Sequence, residues 1–147
     1  MPLYENAEIL IRQNLEMLAR SEKPKFQAIG IFSEQQFAQI NRYRQTQNLP
    51  PLACNEILYM GRHHYNSRVV KDGYTIDDLL QQIKNVIQDC SVVVMSNRMT
   101  AIENQQPRND GYGNQVIDRA IFELTSKKPR AELFSVIPKN DWHKPKK

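Results

Sequence analysis

The fold class is decided by the stretch DGYTIDDLLQQIKNVI, residues 72–87. Asp72-Gly73 is a strong turn signal, and Thr75 and Asp78 have the spacing of a helix capping box. Apolar side chains then recur at helical spacing, and they form a single stripe of Ile76, Leu79, Leu80, Ile83, Val86 and Ile87. The stretch therefore predicts a capped amphipathic helix whose apolar side packs on another layer.

Extended segments are predicted on both sides of this helix. Their β-branched and aromatic composition favours strands, and the segments are residues 56–60, 62–70, 91–95, 115–125 and 132–137. Lys127-Lys128-Pro129-Arg130 predicts a turn that joins the last two strands into a hairpin. The polar segment 98–114, with Pro107, Gly111 and Gly113, predicts a long loop.

The first fifty residues predict two helices around one short strand. Apolar positions of residues 5–20 follow a helical repeat, and residues 26–32 form an apolar run. Ser33 and Gln36 then have capping-box spacing, which starts a helix that runs to about Gln47. The whole pattern predicts an α+β fold in which N-terminal helices pack on a curved, largely antiparallel sheet. Residues 1–138 are predicted to form one domain, followed by a basic tail at 139–147.

The charge of the chain indicates a local basic patch. The formal net charge is +4, and Lys139, Lys144, Lys146 and Lys147 supply much of the excess. A basic tail is either a solvated chain end or an element that binds a polyanion. Because the rest of the chain is nearly balanced, any nucleic-acid site must be local, and the candidates are Arg62, Arg68 and Lys71.

The cysteines and the hydropathy pattern indicate a soluble, cytoplasmic protein. Cys54 and Cys90 are far apart and have neither redox-motif nor metal-ligand spacing. No positively charged start leads into an apolar run, and no apolar run is long enough to span a bilayer. We therefore expect no membrane partner.

The candidate site is the stretch GRHHYNSR, residues 61–68. Arginine presents a cationic fork that suits phosphate oxygens, and imidazole has an unperturbed pKa of roughly 6.5, which allows proton transfer near neutrality. In a strand, successive side chains face opposite sides, so His63 and His64 cannot both enter one site unless a bulge intervenes. We predict that one is catalytic and the other structural.

Other polar residues have competing interpretations. Asp77 and Asp78 resemble paired catalytic carboxylates, but the first turn of a helix favours negative charge, so the structural interpretation is preferred. Zinc is disfavoured because Cys54 and His143 are remote from the histidine pair. Thr125 and the adjacent Ser126 either orient a phosphate oxygen or close the hairpin, and both alternatives stay open.

Three tyrosines are candidates for stacking on bases. Tyr65, Tyr74 and Tyr112 have aromatic faces that suit nucleobases, yet each can also fill the core and leave its hydroxyl at the surface. Gly111-Tyr112-Gly113 is more typical of a flexible turn than of a phosphate-binding loop, because Val116 replaces the third glycine of the motif.

Residues 61–68, together with Asp72–Asp78 and Gln82-Ile83, resemble the phage-associated barnase-EndoU-colicin-RelE-like nuclease domains. Such domains occur in prophage head-morphogenesis proteins and in polymorphic toxins. The resemblance covers residues 56–86 most clearly, and residues 114–138 are similar to the closing strands of that family. It implies a compact α+β ribonuclease fold and cleavage of RNA without a metal or other cofactor.

The resemblance also implies roles for individual residues. His63 matches the motif histidine and Arg62, Ser67 and Arg68 surround it, while Thr125 is the candidate from the closing strands. Substrate contacts are expected from His64, Tyr65, Lys71 and Tyr112. The implied partners are RNA and an immunity or antitoxin protein, and a toxin domain would be delivered into a target cell.

The implied reaction is attack of the ribose 2′-hydroxyl on the adjacent phosphate, which leaves a 2′,3′-cyclic phosphate. A histidine can perform either proton transfer. The second proton-transfer group stays open among His64, Tyr65 and a distant residue. The alternative function is a non-catalytic prophage module for nucleic-acid binding or assembly. An immunity-like partner is disfavoured, because a mimic of RNA would be acidic.

Overall fold

Helices and strands are interleaved along the chain in an α+β arrangement. The computed structural model describes residues 3–86, 91–95, 99–103, 107–124 and 129–139. The helices are α1 (Ala7–Ala19), α2 (Glu34–Thr46), α3 (Arg62–Tyr65), a π-helix (Asn66–Lys71) and α4 (Ile76–Asn85). The strands are β1 (Gln27–Ile31), β2 (Glu56–Tyr59), β3 (Ser91–Met95), β4 (Met99–Glu103), β5 (Arg108–Asn109), β6 (Gln115–Leu124) and β7 (Ala131–Lys139).

The strands form one open sheet in the order β1-β2-β7-β6-β4-β3, and β5 pairs with β6. Every pairing is antiparallel except that of β2 with β7, where Ile57 lies opposite Ala131 in a parallel register. The predicted α+β class and the largely antiparallel sheet are therefore confirmed. The predicted C-terminal hairpin is also confirmed, since β6 and β7 pair along most of their length.

The core lies between α1, α4 and one side of the central strands. Ile11 and Leu15 of α1 are buried together with Leu79 and Ile83 of α4. The strands contribute Ile57, Tyr59, Ala120, Phe122, Leu124, Ala131 and Leu133 to the same cluster. The apolar stripe predicted for α4 is confirmed at Leu79 and Ile83. Ile87, the last residue of the predicted stripe, lies outside the described residues.

Both predicted capping boxes are present. Ser33 Oγ accepts from the Gln36 backbone N–H at 3.1 Å, and Gln36 Oε1 accepts from the Ser33 N–H at 3.0 Å. At α4, Thr75 Oγ1 accepts from the Asp78 N–H at 3.1 Å, and Asp78 Oδ2 accepts from the Thr75 N–H at 2.8 Å. These bonds satisfy backbone donors that have no partner inside the helix.

Ser33→Ala is expected to lower the free energy of unfolding by about 1 kcal/mol, because the alanine side chain cannot accept from the first turn of α2. The measurement is urea unfolding at neutral pH. Gln35→Ala is the matched control, since Gln35 is exposed in the same turn. Equal midpoints for the Ser33 and Gln35 variants would show that the cap contributes nothing.

The strand predicted at residues 62–70 is wrong. That segment is helical, first as α3 and then as the π-helix. The strand propensity of these residues gave the wrong prediction, because Tyr65 and Val69 pack on the core from a helix, while Val70 is 67% exposed. Strand propensity describes fit to a pleated surface, and here the tertiary contacts of the helix override it.

The long loop predicted at residues 98–114 is also incorrect in part. It contains β4, which pairs with β3 and β6, and the short β5. Thr100, Ala101 and Ile102 are all buried, so β4 lacks the alternation that marks a half-buried strand.

Some predictions fall outside the described residues. These are the turn at 127–128, Thr125, Ser126 and the tail beyond Lys139. Within the described ranges, no helix combines the length and the apolar character that crossing a bilayer requires.

Candidate active site

Gly61 is the point at which the chain leaves β2 and begins α3. Its φ is +94°, a left-handed conformation that suits glycine, and its carbonyl accepts from the Tyr65 N–H at 2.8 Å. A Cβ at Gly61 would lie 2.8 Å from Cε2 of Tyr59, whose ring is fully buried. The glycine therefore permits both the backbone turn and the close approach of the Tyr59 ring.

Gly61→Ala is expected to lower the free energy of unfolding by more than Gly73→Ala does. Both positions are left-handed, which costs an L-residue about 1–2 kcal/mol. Gly73 has φ +79° and open space around a Cβ, so its variant has the backbone strain without the contact. Urea unfolding of both variants isolates the clash with Tyr59. Equal losses would mean that the ring moves aside freely.

His64 is a buried structural residue. It is 0% exposed, its Nδ1 lies 2.9 Å from Tyr59 Oη, and its Nε2 lies 3.0 Å from Gln82 Oε1. Because an amide oxygen only accepts, Nε2 carries the proton and Nδ1 accepts from the Tyr59 hydroxyl. Burial lowers the pKa of His64 to about 4, so the ring is neutral near neutrality. This position leaves no surface for the substrate contact that the sequence predicted.

His63, in contrast, is exposed, and its ring is oriented by stacking. The imidazole and the ring of Phe134 have centroids 4.1 Å apart and planes 20° apart. Phe134 lies at a β-bulge, because Ile121 pairs with Ser135 and Phe122 pairs with Leu133. The ring of Phe134 at this register shift lies against the imidazole and supports it. Sequence analysis missed Phe134, since no residue pattern marks this bulge.

Ser67 follows His63 one helical turn later and lies beside its ring. Ser67 Oγ is 3.3 Å from His63 Nε2, a long hydrogen bond whose donor depends on the imidazole tautomer. The serine is 8% exposed, so little of its surface is open to a ligand. This geometry suits a residue that orients the imidazole better than one that contacts a phosphate directly.

The electrostatic environment favours the neutral form of His63. Partial burial lowers its pKa, the charges of Arg68 and Lys71 lower it further, and Glu123 opposes them. The pKa therefore lies below the ordinary value of roughly 6.5. At neutral pH the imidazole is mostly neutral and can accept a proton.

The cationic residues of this segment differ in their surroundings. Arg62 and Lys71 are exposed. Arg68 is largely buried, and its Nη1 binds Asp72 Oδ2 at 2.9 Å. Its Nε is buried and has no partner among the described residues. Asp72, which was assigned to the turn by its sequence alone, thus also compensates part of the Arg68 charge.

The tyrosines lie in different environments. Tyr65 is half-buried and packs against the core. Tyr112 is 57% exposed, its hydroxyl donates to Asp78 Oδ2 at 2.6 Å, and its ring contacts Tyr74 edge to face at 5.7 Å. Asp78 therefore acts as a cap and as a hydrogen-bond acceptor, in agreement with its structural interpretation.

A buried ion pair that sequence analysis missed lies near this tyrosine pair. Arg108 donates to both carboxylate oxygens of Asp118, which is 0% exposed, with Nη2 at 2.9 Å from Oδ1. This ion pair connects β5 to β6, and its two hydrogen bonds indicate a structural role. Among the described residues, no three His, Cys, Asp or Glu side chains gather in a group that could hold a metal ion.

The structure brings together His63, Ser67, Arg68 and Lys71, with Arg62 on the first turn of the same helix. It separates them from the buried His64, and Thr125 lies outside the described residues. No protein-family model, curated protein or solved structure matches the chain. The resemblance to nuclease domains therefore rests on the residues of the segment itself and stays a prediction.

Proposed function

We propose that this protein is a metal-independent endoribonuclease whose central residue is His63. The observation that carries the proposal is an exposed imidazole held in one orientation by Phe134 and Ser67. Partial burial and the neighbouring cations lower the pKa of this imidazole, so its neutral form is favoured near neutral pH. Orientation and a pKa near the working pH are the two requirements of an efficient general base.

The chemistry begins with proton transfer from a ribose 2′-hydroxyl to His63. The 2′-oxygen then attacks the adjacent phosphorus, the bond from phosphorus to the 5′-oxygen breaks, and a second acid protonates the departing 5′-oxygen. The products are a 2′,3′-cyclic phosphate and a 5′-hydroxyl. Arg62 and Lys71 are exposed cations that can bind the phosphate oxygens. Arg68 contributes positive charge that its pairing with Asp72 partly offsets.

The proposal is tested with an RNA oligonucleotide and a copy that carries one 2′-deoxyribonucleotide. Both are incubated with the protein in excess chelator, because the proposed steps need no metal. We expect cyclic-phosphate products from every cleaved position except the deoxy position, where the nucleophile is absent. Cleavage at the deoxy position, or loss of cleavage in chelator, would overturn the mechanism.

A second candidate function is nucleic-acid binding without reaction. The Arg68–Asp72 pair is compatible with it, because a guanidinium already paired with a carboxylate is less able to stabilise charge that develops on a phosphate during cleavage. Under this function RNA and DNA bind alike, no products form, and Lys71→Ala weakens binding and reduces its salt dependence. Sequence-independent binding with intact RNA at saturating protein would select this function over the nuclease.

A further inference from the structure

Two glutamates face each other across neighbouring strands near His63. Glu123 of β6 lies directly opposite Glu132 of β7 in the antiparallel register, and both are half-buried. Directly opposite residues have Cβ atoms about 4.5–5.5 Å apart on one face of a sheet, where like charges are destabilising. The pair therefore costs the fold stability, as functional groups commonly do.

These glutamates lie on the same face of the sheet as the His63 site. In β7, Ala131 and Leu133 are fully buried in the core, while Glu132 and Phe134 alternate with them on the other face. In β6, the neighbours of Glu123 are the buried Phe122 and Leu124. Two residues along β7 span about 7 Å, so Glu132 lies beside the ring on which His63 stacks.

The charge of Glu123 acts on both His63 and Glu132. Glu123 raises the pKa of His63, against the lowering by burial, Arg68 and Lys71. Burial raises the pKa of Glu132, and the charge of Glu123 raises it further. The environments thus move the imidazole and carboxyl pKa values towards each other. Glu132 therefore holds its proton to a higher pH than an ordinary glutamate does.

We propose that the Glu123–Glu132 pair is the second proton-transfer group of the His63 site, a role that rests on the proposed ribonuclease function. His63 takes the proton of the 2′-hydroxyl as the bond from the 2′-oxygen to phosphorus forms. The bond to the 5′-oxygen breaks with its electron pair on that oxygen, which receives the proton held by Glu132 beside Glu123. The site then contains an imidazolium and two carboxylates, and exchange with water restores both groups.

The experiment is the pH dependence of RNA cleavage by the full chain and by Glu132→Gln and Glu123→Gln. We expect each variant to lose about 10²-fold or more in kcat, as removal of an acid catalyst does. The rate of the unmodified protein should fall on the alkaline side as Glu132 deprotonates, and this limb should flatten in the variants. Glu16→Gln, which changes an exposed residue of α1, is the control for loss of charge.

Stability measurements distinguish the proposed role of the pair from a structural role. Under the proposal, both variants should unfold at urea concentrations at least as high as the unmodified protein, because glutamine matches glutamate in size and removes the repulsion. If both variants are less stable than the unmodified protein and the pH dependence of their cleavage rate keeps its shape, the pair has a structural role. NMR titration of His63 gives an independent measurement, because Glu123→Gln should lower its pKa. An unchanged His63 titration would overturn the coupling.

The outcomes separate this inference from the proposed function. If the unmodified protein cleaves RNA and both glutamine variants cleave equally well, the pair has no role in proton transfer and the ribonuclease function stands. If the unmodified protein does not cleave RNA at any pH from 4 to 8, both proposals fall. Slow cleavage with a flattened alkaline limb in both variants supports the inference.

Discussion

His63→Ala should slow RNA cleavage by about 10²- to 10⁴-fold, the usual contribution of a positioned general base. The folded state should be retained, because His63 is exposed and its principal packing partner is the ring of Phe134. The measurement is kcat/KM for a defined RNA oligonucleotide, together with the urea midpoint of the variant. A loss of activity with an unchanged midpoint assigns the loss to chemistry.

Phe134→Leu provides a graded comparison for this prediction. Leucine preserves apolar volume but removes the stacked face that orients the imidazole. We expect a smaller loss of kcat than in His63→Ala and the same pH profile, because the imidazole itself is present. Unchanged cleavage by His63→Ala would contradict the proposal and would show that another group, or another protein in the preparation, carries the activity.

The second large effect is a loss of stability in acid that originates at His64. In the unfolded chain a histidine binds a proton below a pH of roughly 6.5. In the folded protein, burial lowers the pKa of His64 to about 4. The unfolded state therefore binds more protons between these two values, so stability falls as the pH falls through that window. The difference corresponds to about 3 kcal/mol at pH 4, and the contribution vanishes above pH 6.5.

The test is urea unfolding at several pH values for the unmodified protein and for His64→Gln. The variant starts less stable at pH 7, because it disrupts the bonds to Tyr59 and Gln82. Its stability should nevertheless depend less on pH between 4 and 6.5. Carboxylates titrate in both proteins, so the difference between the two curves isolates the histidine. Parallel curves would contradict a neutral buried His64.

The starts of α2 and α4 could be predicted because their first turns carry their own chemistry, whereas α1 is predicted from its apolar repeat alone. Ser33 with Gln36, and Thr75 with Asp78, each satisfy backbone groups within four residues, so local sequence is sufficient. The segment 62–71 could not be predicted in this way. Its helical form depends on the turn at Gly61 and on a buried partner for His64, and both depend on contacts with Tyr59.

The candidate site also combines residues that local sequence places together with residues that only distant contacts bring in. His63, Ser67 and Arg68 occur in one short segment, so their proximity could be predicted from the sequence. Phe134 and the two glutamates come from distant strands, and their positions depend on the register of β6 and β7 and on one bulge. Strand register is fixed by packing across the whole sheet, so a single strand sequence does not encode its partners.

The parallel pairing of β2 with β7 has a consequence for synthesis of the chain. Glu56 and Arg130 form an ion pair across 74 residues of sequence, and β7 also supplies the ring under His63. Contacts of such long separation form after local ones. During translation, His63 therefore lacks its stacking partner until Phe134 has been synthesised. Under the proposed ribonuclease function, this order would delay cleavage until β7 has been synthesised and has paired with β6.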